Sequence, residues 1–162
     1  MNAQALHNRT LGKTVTVRLL GNGDAATVEA LFDRLSPSSR AGRFHAAKPR
    51  LTPSELDSLA RVDADHLVLV AYVDGDALPA AMARVVRNAS DRRAGEIAFE
   101  VADLYQGCGI GTQLVDLVLA DARAAGIEQV DAVVQSSNRA ALRLLRRVLD
   151  APMVRVEEVA FG

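Results

Sequence analysis

Three glycines stand at every second position in the stretch LYQGCGIGTQLV, residues 104–115, and an apolar pattern with helical spacing follows at once. Glycine lacks a Cβ atom, so such a run can adopt positive φ angles and turn successive backbone N–H groups into one concave surface. The N-terminus of the following helix adds about half a positive charge. The pattern therefore predicts a site for an anion, above all a diphosphate. A tight turn that only permits close packing is the alternative explanation.

Two well-known phosphate-binding loops fit this stretch poorly. A nucleoside triphosphatase loop needs a lysine directly before its hydroxyl residue, but Gly111 precedes Thr112. A dinucleotide-binding loop follows the first strand of a long parallel sheet, whereas about two thirds of this chain precedes the glycines. Asp131 lies about 20 residues further on, but it stands at the entrance of its predicted strand instead of the exit.

Two glutamates, Glu96 and Glu100, lie just before the glycines in the segment AGEIAFEVAD. The segment alternates apolar and polar residues and predicts a strand, in which residues an even number of positions apart point to the same face. A carboxylate beside a reacting group can act as a general base. Each glutamate can instead be a solvated surface residue or pair with an arginine, such as Arg84 on the neighbouring strand.

The chain must position these residues with a sheet and several helices, in the predicted order βαα(α)βββαβαβ. The segment TVTVRLL predicts the first strand, and two short helices begin at Pro37 and Pro53 after the N-caps Ser36 and Thr52. Three strands then form a meander. The helix that begins at Ile110 ends at a glycine, residue 126, and one more βαβ passage follows. We therefore expect an α/β fold, a mixed sheet with helices on both faces.

Composition excludes several classes of protein. The 162 residues suffice for one domain, which we place at residues 14–162 after a flexible leader at residues 1–13. One cysteine and three histidines without ligand spacing predict no metal site. A net charge of -1 with few aromatic residues argues against nucleic acid, and the apolar runs are too short to cross a membrane. No secretory signal is visible, so we expect a cytoplasmic protein.

Residues 106–111, QGCGIG, match the pattern Q/R-x-x-G-x-G/A, the central motif of the GNAT acyltransferase superfamily. The chain resembles that family over residues 14 to about 150, and SSNRAALRLL is similar to its second cofactor element around Asn138. The resemblance implies the GNAT fold, a mostly antiparallel mixed sheet. It also implies an N-acetyltransferase that passes acetyl from acetyl-CoA to a primary amine by direct attack in a ternary complex.

The resemblance also implies where coenzyme A binds. The diphosphate would lie on the amides of residues 106–112, the pantetheine arm would run along residues 99–101 like an extra strand, and Asn138 would reach a pantetheine amide. One amide of the strand would polarise the thioester carbonyl. Cys108 is expected to be a small loop residue rather than a nucleophile. The expected cofactor-binding residues are Phe99, Val101, Gln106, Gly107, Cys108, Gly109, Ile110, Gly111, Thr112 and Asn138.

An amine attacks a thioester only when it is neutral, and a free lysine with a pKa of about 10.4 is rarely neutral near pH 7. A base must therefore assist. The segment AGEIAFEVAD resembles bacterial protein-lysine acetyltransferases of this superfamily, in which the glutamate at the Glu96 position is the general base. Our catalytic candidates are Glu96 and Glu100, with Glu96 favoured. A protein lysine and a small-molecule amine both remain open as the acceptor.

Three departures from the family pattern leave alternatives open. Leu145 replaces the tyrosine that often protonates the departing thiolate, and Leu149 with Asp150 replaces a glycine-aromatic pair. The chain ends after one clear strand where the family commonly has two. The last sheet edge is therefore either shortened or completed by another subunit, as in a homodimer. A non-catalytic domain that senses acyl-CoA or mediates an interaction is the alternative function.

Overall fold

The computed structural model describes residues 3–160 and contains one seven-stranded sheet in which the strands follow their order along the chain. The first five strands form an antiparallel meander, and the last two pairings, β5 with β6 and β6 with β7, are parallel. The strands are β1 (Gln4–Asn8), β2 (Lys13–Leu19), β3 (His66–Val73), β4 (Ala81–Arg87), β5 (Ala94–Val101), β6 (Gln129–Gln135) and β7 (Val154–Val159).

Helices cover both faces of this sheet. Alternation along the strands sends successive side chains to opposite faces, so each face packs on its own set of helices. On one face, Ala83 and Val85 contact the core made with α4 and α5; on the other, Val68 and Met82 join a core with α1 and α3. The helices are α1 (Ala25–Phe32), α2 (Pro37–Phe44), α3 (Pro53–Leu59), α4 (Ile110–Ala124) and α5 (Arg139–Arg147).

The predicted helix signals have the expected geometry. Ser36 and Thr52 are N-caps whose hydroxyls accept backbone N–H groups, and Thr52 forms a reciprocal capping box with Glu55. Gly126 has a φ of 90° just after α4, as a terminating glycine requires. The mixed α/β fold is therefore confirmed. None of the helices within residues 3–160 is long and apolar enough to cross a membrane.

The prediction that the folded elements begin near Thr14 was wrong. Residues 4–8 of the predicted leader form β1, which pairs along its length with β2, and Asn8 at its end is buried. The segment was missed because its polar and apolar residues lie at an edge of the sheet and do not alternate clearly. Residues 1 and 2 of the predicted leader lie outside the described residues.

The apolar residues of α5 divide between the core and an opening. Leu142 and Leu145 are buried, as is Val148 at the end of the helix. Leu144 is only half-buried and lines a cavity. One side of α5 thus packs toward α4 in the core, and the other side borders the cavity.

Candidate functional site

Strands β5 and β6 pair only at their beginning, and the gap that opens beyond them forms the candidate site. The parallel ladder joins residues 94–96 to residues 129–131 and extends no further. A cavity of about 890 Å³ occupies the gap and continues beneath α2. Ten of the twelve predicted site residues line it: Glu96, Phe99, Glu100, Val101, Gln106, Gly107, Gly109, Gly111, Thr112 and Asn138.

The backbone of β5 presents hydrogen-bonding groups to this gap. Bonds from Asn88 N to Ala94 O and from Ala102 N to Ala80 O show that the even-numbered residues of this strand bond to β4. In an antiparallel pair, the intervening residues direct their N–H and C=O groups to the other side. The amides of Phe99 and Val101 therefore face the gap, where the β6 ladder has already ended.

The glycine loop before α4 has the backbone conformation that its sequence predicted. Gly107 and Gly109 have φ angles of 78° and 87°, and Gly109 is the N-cap of α4. Among residues 3–160, none accepts a hydrogen bond from the amides of Gly107, Cys108 or Gly109. The first three amides of the helix also lack intrahelical acceptors by helix geometry. The loop can therefore offer several N–H groups to one anion.

At Gly111, close packing rather than backbone conformation requires a glycine. A Cβ atom there would lie 2.6 Å from Leu144 Cδ1 and 3.1 Å from a Val101 methyl carbon, so the third glycine permits close approach of α4 to its neighbours. The side chains of Cys108 and Ile110 are buried away from the cavity. These two residues can reach an anion only through their backbone amides.

Gln106 and Asn138 sit on opposite sides of the opening. The Gln106 amide nitrogen donates to the Val101 carbonyl at 3.0 Å and to Ser39 Oγ at 3.1 Å, so this side chain braces the loop against β5 and α2. Asn138 caps α5 by accepting the Ala141 N–H at 3.2 Å. Its side-chain nitrogen finds no acceptor among the described residues, so capping leaves Asn138 free to donate into the cavity.

The two candidate glutamates share one face of β5 but differ in their surroundings. In the register with β4, Glu96 lies opposite Val86 and Glu100 lies opposite Met82. Glu100 is almost buried and forms an ion pair with Arg43 of α2, with 2.7 Å between Nε and Oε2. Glu96 is exposed to the cavity and forms no ion pair with any residue from 3 to 160. Glu100 thus has the arginine partner that the sequence left open, although that partner is Arg43.

Arg84 places a second positive charge beside Glu100. It is 6% exposed, and its guanidinium donates to the Leu59 carbonyl at 2.7 Å. Burial lowers the pKa of Arg84 to about 10, the Glu100 carboxylate opposes this shift, and Arg43 adds to it. Glu100 therefore pairs with one arginine and interacts electrostatically with a second, whereas Glu96 remains available to a ligand.

Sequence reasoning missed Arg43, and it named Arg84 only as a possible partner of the glutamates. Arg43 lies in a short polar helix whose position over β5 no local pattern reveals. Arg84 had a usable signal, because a charged residue in the apolar strand AAMARVV must be paired or functional. Leu145 is 3% exposed within the core, so the position of the family's usual acid offers no proton donor here. Within the described part of the chain, no three histidine, cysteine or acidic side chains cluster as metal ligands would.

Curated relatives of the chain are named acetyltransferases. It is 29% identical over 132 residues to acetyltransferase PA5475 of Pseudomonas aeruginosa, covering 80% of this chain and 70% of that protein. It is 35% identical over 108 residues to acetyltransferase Pat of Mycolicibacterium smegmatis, covering 65% of this chain. The match spans only 32% of Pat, so about a third of that longer protein corresponds to this chain.

Solved structures share the fold. The GNAT domain of S. lividans PAT superposes with a TM-score of 0.82 at 27% identity, covering 92% of this chain and 86% of that domain. The Salmonella typhimurium protein yncA, solved with acetyl-CoA, has a TM-score of 0.63 at 23% identity, covering 82% and 76%. The sequence model of the acetyltransferase (GNAT) family matches residues 28–150. The chain therefore belongs to the GNAT acetyltransferase family and is an acyltransferase.

Proposed function

We propose that this protein transfers an acetyl group from acetyl-CoA to a primary amine by direct attack in a ternary complex. The observation that carries the proposal is the gap between β5 and β6, because it brings the unpaired loop amides and the Glu96 carboxylate to one cavity. An anionic carrier and a neutral amine can approach each other there from two ends. The acetyl-CoA bound in a protein of the same fold is consistent with this choice of cofactor.

The chain's own groups can hold such a carrier along its length. The amides of residues 107–112 suit its diphosphate, since they combine unpaired donors with the positive end of α4. The outward amides of Phe99 and Val101 suit the pantetheine arm, which would extend the sheet as an added strand. Asn138 lies across the gap with a free amide nitrogen, which suits a pantetheine carbonyl. An amide of β5 would also stabilise the oxyanion that develops on the thioester carbonyl.

Glu96 is the general base in this proposal. The amine nitrogen forms a bond to the thioester carbonyl carbon, its proton passes to Glu96 directly or through water, and the C–S bond breaks as coenzyme A leaves. Glu100 is less suited, because Arg43 already occupies its carboxylate at 2.7 Å. With Leu145 buried in the core, the departing thiolate takes its proton from solvent or leaves as the anion.

The acceptor enters through the part of the cavity beneath α2. Ser38, Gly42 and His45 of the α2 region line the same cavity as Glu96. The likeness to the Pat proteins and the segment AGEIAFEVAD favour a protein lysine, and a small-molecule amine fits the same chemistry. A mass-spectrometric screen for acetylated products, with cell extract as the acceptor mixture, distinguishes the two.

The role of Glu96 is tested by comparing Glu96→Gln with wild type over a panel of amines and peptides, following thiol release. We expect kcat to fall about 100-fold, as for loss of a general base, while the Kd for coenzyme A measured by calorimetry is unchanged. Glu29→Gln is the matched control, because Glu29 is an exposed glutamate on α1 outside the cavity.

Each other result has a defined meaning. Wild-type turnover by Glu96→Gln would contradict its role as base. Tight binding of coenzyme A without turnover on any acceptor would instead favour the acyl-CoA sensing domain. If wild type bound no coenzyme A, the proposed function would fail as a whole. The acetyltransferase relatives make turnover the expected outcome.

A further inference from the structure

Asn8, at the end of β1, is buried against the glycine loop although it is 100 residues away in sequence. Asn8 and Arg84 are the two polar residues that the described part of the chain buries, and Asn8 is 3% exposed. It precedes the residues that the family model matches. A buried amide is expensive unless its donors and acceptor are all bonded, so its contacts indicate its task.

The Asn8 amide is fully bonded within the structure. Its nitrogen donates to the Cys108 carbonyl at 3.0 Å and to Gln113 Oε1 at 2.8 Å. Its oxygen accepts the Leu11 N–H at 3.0 Å. Gln113 in turn donates to the His7 carbonyl at 3.0 Å. The orientation of the amide is therefore fixed both by β1 and by the first turns of α4.

The bond to the Cys108 carbonyl determines where the next amide points. The C=O of Cys108 and the N–H of Gly109 belong to one planar trans peptide, in which they point in opposite directions. Because the carbonyl is held toward Asn8, the Gly109 N–H must point away from β1, toward the open side of the loop. Gly109 lines the cavity on that side.

This restraint matters because the glycine after the peptide also permits other orientations. Rotation of the Cys108–Gly109 peptide changes ψ of Cys108 and φ of Gly109, and glycine reaches positive and negative φ about equally well. A rotated Cys108–Gly109 peptide would present a carbonyl oxygen to the anion and repel it. One buried hydrogen bond from Asn8 selects the donor orientation before the ligand arrives.

We propose that Asn8 is a positioning residue of the cofactor site, holding the Cys108–Gly109 peptide so that the Gly109 N–H faces the diphosphate of coenzyme A. The inference rests on the proposed function, since it assumes that this loop binds the diphosphate. It makes β1 part of the binding site. It also predicts that loss of Asn8 weakens recognition of the diphosphate and leaves recognition of the pantetheine arm intact.

The test measures Kd for coenzyme A and for pantetheine, which lacks the diphosphate, by NMR titration of the full chain. For Asn8→Ala, we expect about a tenfold weaker Kd for coenzyme A, the usual effect of one lost buried hydrogen bond, with pantetheine unchanged. Asn8→Asp keeps the size and the acceptor for Leu11 but places an oxygen beside the Cys108 carbonyl. It should weaken coenzyme A binding at least as much.

Two further variants keep the result interpretable. Arg9→Ala is the control, because Arg9 is the exposed neighbour of Asn8 and bonds to no described side chain. It should bind both ligands like wild type. Gln113→Ala leaves the Asn8–Cys108 bond but frees one amide hydrogen, and should weaken coenzyme A about threefold. It tests the inference even if the Asn8 variants do not fold.

If the Asn8 variants bound coenzyme A and pantetheine more weakly by the same factor, Asn8 would serve the stability of the fold, and the inference would be overturned. Unchanged binding of coenzyme A by the Asn8 and Gln113 variants would overturn it too. Wild type that bound no coenzyme A would refute the proposed function itself, which separates that failure from a failure of the inference.

Discussion

Helices α4 and α2 border the same cavity but are held in place by different forces. Seven of the fifteen residues of α4 are buried, whereas none of the eight residues of α2 is. Polar contacts attach α2 instead: Arg43 pairs with Glu100, Ser39 contacts Gln106, and the Arg40 guanidinium donates to the Phe32 carbonyl. The end of the cavity that we propose for the cofactor (the cofactor end) thus rests on the core, and the end that we propose for the acceptor (the acceptor end) is held by hydrogen bonds.

This difference suggests how substitutions in one fold can alter the proposed acceptor site while the proposed cofactor site is retained. Burial of a large apolar side chain contributes about 1.5–3 kcal/mol, whereas a typical intramolecular hydrogen bond contributes about 1 kcal/mol net. Substitutions in α4 therefore threaten the whole domain. Substitutions in α2 remove one modest interaction and alter the lining of the cavity. The acceptor end is the part in which new specificity costs least stability.

The sharpest test compares a buried residue of α4 with an aromatic residue of α2. Leu114→Ala should lower the free energy of unfolding by about 3 kcal/mol, because Leu114 is 1% exposed and leaves a cavity. Phe44→Ala should cost only about 1 kcal/mol, because Phe44 is half-buried and packs on Phe32 with tilted rings whose centroids lie 5.8 Å apart. Urea unfolding measures both. Equal losses would refute the contrast between the two helices.

The second test separates the charges within the acceptor end. Glu100→Gln should lower the free energy of unfolding by about 2 kcal/mol, because it leaves Arg43 without its ion-pair partner and the buried Arg84 without a compensating negative charge. Arg43→Gln should cost about 1 kcal/mol, since Glu100 keeps Arg84 as a neighbour. The same unfolding assay applies to both variants. If Arg43→Gln lost more unfolding free energy than Glu100→Gln, Arg84 would not interact with the Glu100 carboxylate as we expect.

The smallest expected effect on stability concerns Asp76, whose contacts form a joint between the two ends of the cavity. Asp76 accepts a hydrogen bond from the Tyr105 hydroxyl at 2.6 Å and forms an ion pair with Arg34 at 2.8 Å. Tyr105 precedes the glycine loop in the sequence, and Arg34 precedes α2. The Tyr105 hydrogen bond, the Leu78 amide and Arg34 lower the pKa of Asp76 to about 2. A carboxyl with a lowered pKa stabilises the folded state above its ordinary pKa, and that stability is lost as the pH falls toward 2.

Wild type should therefore lose about 1 kcal/mol more than Asp76→Asn between about pH 4 and pH 2 in denaturant unfolding. Asp74→Asn is the control, because Asp74 is exposed and its side chain has no ion pair within residues 3–160. It should keep the wild-type slope. An identical slope for Asp76→Asn would show that this joint does not depend on the Asp76 charge.

Much of the fold could be predicted because its signals are local. The alternation in TVTVRLL and AGEIAFEVAD, the caps at Ser36 and Thr52, and the glycines before α4 each act within a few residues. Strand β1 was missed because an edge strand buries little and alternates weakly. Ten of the predicted site residues line one cavity, yet their roles in binding and catalysis remain predictions.

The sequence by itself determined the α/β fold, the family, the glycine loop and the shared face of Glu96 and Glu100, because periodicity and backbone freedom are written in neighbouring residues. Only the tertiary structure decided which glutamate forms an ion pair with an arginine and which residue is hydrogen-bonded to the glycine loop. Arg43 reaches Glu100 across 57 positions, and Asn8 reaches Cys108 across 100. Such contacts depend on how the elements stack, and stacking is fixed by the whole core rather than by any local pattern.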